Sequence, residues 1–241
     1  ARAAIGLAGR NDLPMDFPDP SVHMLEEALE ALPRDDSRVR VRVLANLVRV
    51  KYFGEEREQI QRWAEEAVAR AERIGDPGTL FAALEALHYA QLLPEGLEQR
   101  LRISARLPEL ARRSGSVRFE ALAHLWRVVD LLELPDVAGA DAEIASFEGL
   151  ARELQQPFYR WLANGFRATR ALMEGRLSDA EAFMTEALRS GQEAESPNAP
   201  IFFGTQLFHL RHEQGRIDEL MAPMQKIVTD HFRAPGEHDS R

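Results

Sequence analysis

The chain has 241 residues, 45% of them hydrophobic, enough for one large domain or two small ones with a sizeable core. Its formal net charge is −9, from 39 acidic against 30 basic side chains, so the chain as a whole has no electrostatic footprint for phosphate backbones, and direct nucleic-acid binding by this segment is not expected. It holds no cysteine, which excludes disulfides, thiolate metal sites and cysteine nucleophiles and fits a reducing, cytoplasmic setting.

The first residues, ARAAIGLAGRNDLP, lack the cationic start and apolar core of a signal peptide. No apolar run reaches the roughly 18 residues of a membrane span, so no membrane partner is expected. The chain opens on Ala1 rather than methionine, as a processed protein or a segment of a longer one would. Ala1 to Ala8 reads as a truncated helix, and NDLPMDFPDP (Asn11 to Pro20) as a linker too rich in Pro and Asp to be helical. A second helix follows at Val22 to Leu32. RVRVRV (Arg38 to Val43) alternates with period two and by itself reads as a half-buried strand. Leu44, Leu47 and Val48 continue at helical spacing, however, and the repeat register places a helix from about Asp36 to Phe53.

From there the chain is punctuated at regular intervals. Turn signals stand at Gly54, Pro94, Pro135, Gly175 and Gly215, separated by 40, 41, 40 and 40 residues, and a second set at Gly75, Gly115, Gln156 and Ser196 steps by 40, 41 and 40. Two interleaved sets with one period are the signature of a helical solenoid. Within EGRLSDAEAFMTEAL, the residues Ala180, Phe183, Met184, Ala187 and Leu188 form one apolar helix face, with Ser178 and Glu181 as a capping box and Gly175 ending a helix from Pro157 to Glu174. Ile60, Trp63, Ala64, Ala67, Val68 and Ala71 repeat that face, Ala67 standing 120 residues before Ala187. The expected fold is all-α, a right-handed α-solenoid of about five helical hairpins with a 40-residue period. Residues 1–35 form a partial N-terminal pair and linker, 36–232 the array, and 233–241 (RAPGEHDSR from Arg233) a frayed tail. The small residues Ala67, Ala180 and Ala187 are expected to be nearly fully buried at helix contacts.

The pattern G-x-L-x-x-A-x-x-x-M-x-x-A at Gly175 to Ala187 resembles the tetratricopeptide repeat, though its period is 40 rather than 34 and Asn164 and Ala168 stand where that repeat has Trp and Gly. LWRVVDLLELPDVAGADAEI (Leu125 to Ile144), QPFYRWLANGFRATRALMEGR (Gln156 to Arg176) and FGTQLFHLRHEQGRIDEL (Phe203 to Leu220) resemble the helical-repeat region of large bacterial regulators. Those regulators couple a signal-transducing ATPase module to such repeats and carry a LuxR-type DNA-binding or nucleotide cyclase domain elsewhere. The resemblance covers most of Val22 to Ala222. It implies a sensor or interaction arm whose partners are other domains of the same regulator and a small-molecule or protein ligand. A free-standing tetratricopeptide-like adaptor that binds a peptide or protein is the alternative. The ATPase is not implied for these residues, which contain no G-x-x-x-x-G-K-[ST] loop.

No residues suggest an enzyme or a cofactor. HLRHE (His209 to Glu213) sets two histidines and a glutamate within one helical turn but is not H-E-x-x-H, and no metal site is expected. No serine lies in a G-x-S-x-G elbow. The better candidate comes from the first helix of each hairpin, which carries polar or aromatic residues at i, i+4 and i+7: Arg42, Asn46 and Arg49; Phe81, Glu85 and His88; Glu120, His124 and Arg127; Arg160, Asn164 and Arg167; and, more loosely, Phe202, Gln206 and His209. If first helices line a concave face, His88, His124, Trp126, Arg127, Tyr159, Asn164, Arg167, Gln206 and His209 form a ligand- or partner-binding groove. In it Arg127 and Arg167, near Trp126 and Tyr159, would suit a planar, anionic or hydroxyl-rich ligand. The competing reading is that the stripes are the solvated faces of amphipathic helices.

Overall fold

The computed structural model describes residues 1–3, 5, 21–52 and 57–220. The expected turn at Gly54, the linker Asn11 to Pro20, the tail from Arg233, most of the helix expected at Ala1 to Ala8 and the array beyond Leu220 lie outside the described residues. Among those described, the chain is all-helical, with no strand. Eleven α-helices lie wholly within the described residues, in order α1 (Ser21–Ala31), α2 (Arg38–Val50), α3 (Arg57–Ile74), α4 (Pro77–Ala90), α5 (Leu97–Ser104), α6 (Leu107–Ser114), α7 (Val117–Glu133), α8 (Val137–Leu154), α9 (Pro157–Met173), α10 (Leu177–Glu193) and α11 (Ala199–Glu213). A 3-10 turn, Pro94–Gly96, precedes α5. RVRVRV is therefore helical, and Val41 and Val43 are both fully buried in α2, against different parts of the core.

Local chemistry sets the boundaries. Ser37, Asp76, Ser116 and Asp136 cap α2, α4, α7 and α8, each side-chain oxygen accepting a backbone N–H three residues on. Gly75, Gly115, Gly175 and Gly215 all take the left-handed conformation that ends a helix, with φ of 66 to 71°. After α9, the Arg176 N–H donates to the Ala171 carbonyl and that of Gly175 to Leu172, and the pattern recurs 40 residues later at Arg216 and Gly215. Two expectations need correction. Ser178 lies inside α10, whose cap is Arg176, so no capping box forms. The helix expected between Pro94 and Gly115 is split into α5 and α6, because Pro108 has no N–H to donate to Ser104, the last residue of α5.

Among the described residues, close backbone approaches join helices one or two places apart in the chain, and α4 and α7, three places apart, meet through their side chains. Ala67 and Ala180 are fully buried and Ala187 nearly so, along with Ala64, Ala71, Ala168 and Ala171, which lets helices approach closely where a larger side chain would hold them apart. Aromatic rings link successive first helices. Phe81 of α4 stacks on Phe119 of α7 at 4.3 Å, Tyr89 meets Trp126 edge-on at 4.9 Å, and Trp161 of α9 meets Phe202 of α11 at 5.5 Å. Each such pair adds about 0.5–1.5 kcal/mol beyond area burial.

Candidate functional site

The residues proposed as one groove fall into separate environments. His88, Trp126 and Tyr159 are core residues. The His88 ring lies 4.7 Å from that of Trp126, and its Nε2 sits 3.0 Å from both carboxylate oxygens of Asp130. Arg100 of α5 donates from Nη1 to Asp130 at 3.0 Å and from Nη2 to Glu133. His88, Asp130 and Arg100 are 0, 0 and 1% exposed, so this cluster joins α4, α5 and α7 internally and reaches no opening. Trp126 Nε1 donates to Glu85 at 3.2 Å, and Tyr159 packs between Phe147 and Phe158.

His124 and Arg127 share one carboxylate, that of Glu143 on α8. Burial alone would raise the Glu143 carboxyl, but hydrogen bonds from Arg127 and His124 outweigh it and hold the group below the usual glutamate range. Arg167 forms a two-pronged pair with Glu148, also on α8, at 2.6 Å for each bond, and lies over the Phe183 ring at 5.8 Å. All three thus turn to a second helix, α8, and not into one groove along the first helices. The positive charge that suggested an anionic ligand at Arg127 and Arg167 is neutralised within the protein. Asn164 is half-buried on α9.

Gln206 behaves as a first-helix residue should. Its Nε2 donates to the Gly165 carbonyl and the Thr169 hydroxyl of α9, at 2.9 and 3.0 Å. Gln206 and the exposed His209 line a groove of about 600 Å³ between α9 and α11, walled by Leu172, Met173, Ile201 and Phe202. This groove is mainly apolar, with Met173 52% and Ile201 46% exposed.

A second opening, of about 360 Å³, lies at the other end of the chain between α2, α4 and α7. Arg38, Arg42, Asn46 and Arg49 line it from α2, Glu85 from α4, Arg118 and Phe119 from α7, and Asp76 from the cap of α4. Arg42, Asn46, Arg49 and Glu85 belong to the i, i+4, i+7 stripes of the sequence, but Arg38 and Arg118 do not. Asp76 accepts from the Thr79 N–H and hydroxyl and from Arg38 at 3.1 Å, and these contacts, the Thr79 hydroxyl foremost, hold its carboxyl below the ordinary range. A third opening, of about 470 Å³ beside Tyr52, Gln61 and Gln91, involves no stripe residue.

Compared with known proteins, the chain matches no family model and no curated protein. What the site can do therefore rests on its own geometry. Among the described residues no three His, Asp or Glu side chains stand together as a metal site would require, and no helix is long and apolar enough to cross a membrane. His212 of the HLRHE segment pairs with Glu213, and His209 faces the apolar groove.

Proposed function

We propose that the chain is a non-enzymatic ligand- or partner-binding arm of a larger cytoplasmic signalling or transcriptional regulator, built as a right-handed α-solenoid of about five helical hairpins. The left-handed glycines 40 residues apart, and the packing of each helix among the described residues on helices no more than three places away, support the solenoid. The regulator context rests on the resemblance of Leu125 to Ile144, Gln156 to Arg176 and Phe203 to Leu220 to the repeat regions described above. The observation that carries the binding role is that the arginine-lined pocket and the apolar groove both open between first helices, the elements whose polar stripes are not required for helix formation. Occupation of either opening would shift neighbouring hairpins, and such shifts accumulate along a stack to reach the other domains of the regulator.

A second reading, a free-standing adaptor for a peptide, is favoured by the groove between α9 and α11. Met173, Ile201 and Phe202 offer apolar contact there for a peptide's side chains, and Gln206 and His209 offer polar contact beside them. One experiment tests the shared claim: thermal shift against metabolite and peptide panels, in which a ligand at 100 times its dissociation constant stabilises by about 2.7 kcal/mol. Binding is expected to weaken in Arg42→Ala or Phe202→Ala and to persist in Arg189→Ala, on the exposed side of α10. A ligand lost only in Arg189→Ala would place the working surface on second helices and defeat the proposal.

A further inference from the structure

We infer that the groove between α9 and α11 binds a small apolar molecule carrying one primary amine, held as its ammonium; this rests on the reading of that groove as a binding site. Its lining includes no arginine or lysine, and Glu213 is its one carboxylate. Among the described residues Glu213 pairs only with His212, at 3.5 Å, with the two side chains 61 and 67% exposed, so its charge is open to a ligand. The net charge of the chain, −9, adds to the same preference.

The hydrogen-bonding groups of the groove point the same way independently. Thr169 donates to the Gly165 carbonyl and Thr205 to the Ile201 carbonyl, at 3.1 and 3.0 Å. Both N–H bonds of the Gln206 amide are taken, by Gly165 and Thr169. Because a carbonyl can only accept, the Gly165 contact fixes the orientation of that amide and leaves Gln206 Oε1, which accepts from no described residue, as an acceptor. Gln206, His209 and Glu213 stand at i, i+3 and i+7 on α11, a line that offers acceptors and, apart from the imidazole, no donor. An ammonium brings three donors and no acceptor. A phosphate or carboxylate brings the reverse.

The apolar side sets the size. The volume of about 600 Å³ lies within the range for small-molecule sites, roughly 300–1,000 Å³. A smaller cavity, of about 90 Å³, adjoins the groove at Thr169, Phe202 and Gln206 and is walled by Trp161 and Phe166, a place for a ring to insert. Gln206 lies seven residues from Glu213, about 10 Å along the helix axis, so a ring on a short alkyl chain reaches from the carboxylate to that cavity.

The test is calorimetric titration of the whole chain at neutral pH and low ionic strength with three probes of one shape, 4-phenylbutylamine, 4-phenylbutanol and 4-phenylbutyrate, repeated on Glu213→Gln and Phe202→Ala. Glu153→Gln, an exposed carboxylate on α8, is the control. Saturable binding of the amine is expected, about tenfold tighter than that of the alcohol, with the butyrate weakest. Glu213→Gln is expected to weaken the amine about fivefold or more and to leave the alcohol unchanged, Phe202→Ala to weaken both, and Glu153→Gln neither. Phe202 also packs on Trp161, so helical circular dichroism checks folding, and if Phe202→Ala unfolds, the contrast between amine and alcohol in Glu213→Gln carries the test. An alcohol bound as tightly as the amine, an amine indifferent to Glu213→Gln, or no binding of any probe overturns the inference. If in that case the alcohol or a peptide binds and is lost in Phe202→Ala, the reading of the groove as a binding site survives with a different ligand.

Discussion

Asp130 has no exposure to water and meets two buried partners, His88 Nε2 and Arg100 Nη1. A buried carboxylate in this position stabilises less by its own attraction than by sparing its partners from being left alone, since breaking a buried pair costs about 3–5 kcal/mol whereas replacing it with apolar groups is often neutral. Asp130→Ala is expected to destabilise by about 3 kcal/mol, near the lower bound, because Arg100 keeps Glu133. Urea unfolding followed by tryptophan fluorescence reports it directly, the Trp126 ring lying 4.7 Å from that of His88. A loss below about 1 kcal/mol would mean that the cluster is solvated. The same residues show where the sequence was mute. Spacing put His88 and Arg127 on the polar side of their helices, but their partners Asp130 and Glu143 stand 42 and 16 residues away, and no local pattern says which polar side chains will find a carboxylate within the protein.

At the level of elements, the helix ends were legible wherever the chemistry is exclusive to one residue type. A left-handed C-terminal position favours glycine, so Gly75, Gly115, Gly175 and Gly215 stand out in the sequence, whereas Gln155 and Glu195 take the same conformation with φ of 53° and leave no compositional mark. The predicted boundaries at Gln156 and Ser196 were therefore one residue late. Pro108, with no N–H to donate, is the compositional mark of the break between α5 and α6. Glycine also has a second use here. A Cβ on Gly191 would lie 2.3 Å from the Ala199 Cβ and 3.2 Å from the Trp161 ring, whereas one on Gly175 would meet nothing within 4 Å. Gly191→Ala is thus expected to cost about 1–3 kcal/mol by forcing α10 and α11 apart, and to perturb the Trp161–Phe202 contact. Gly175→Ala carries only the left-handed backbone penalty of about 1–2 kcal/mol. Near-ultraviolet dichroism distinguishes them: a change in the tryptophan bands confined to Gly191→Ala is the expected result, and equal spectra would place the close approach elsewhere.

Over the whole molecule the decisive feature is that long-range closure is missing from the packing pattern: α1 contacts α2, α2 contacts α3 and α4, and so on to α9, α10 and α11, without an extensive contact between the ends among the described residues. The all-helical class was legible because it follows from periodicity and punctuation, which are local. The positions of the openings were only half legible. The stripe rule found Arg42, Asn46, Arg49, Glu85, Gln206 and His209, which line openings, but could not separate them from His124, Arg127 and Arg167, which are tied to α8. A solenoid extends as it grows, so the dimensions of the chain test that architecture without reference to any ligand. A compact globule of 241 residues would have a radius of gyration of about 18 Å. Small-angle scattering of the monomer is expected to give a clearly larger value and an asymmetric pair-distance distribution with a long tail. A value at the globular figure, with a symmetric distribution, would mean that the two ends fold back on one another, and the arginine pocket and the apolar groove would then have to be considered as parts of one enclosed site.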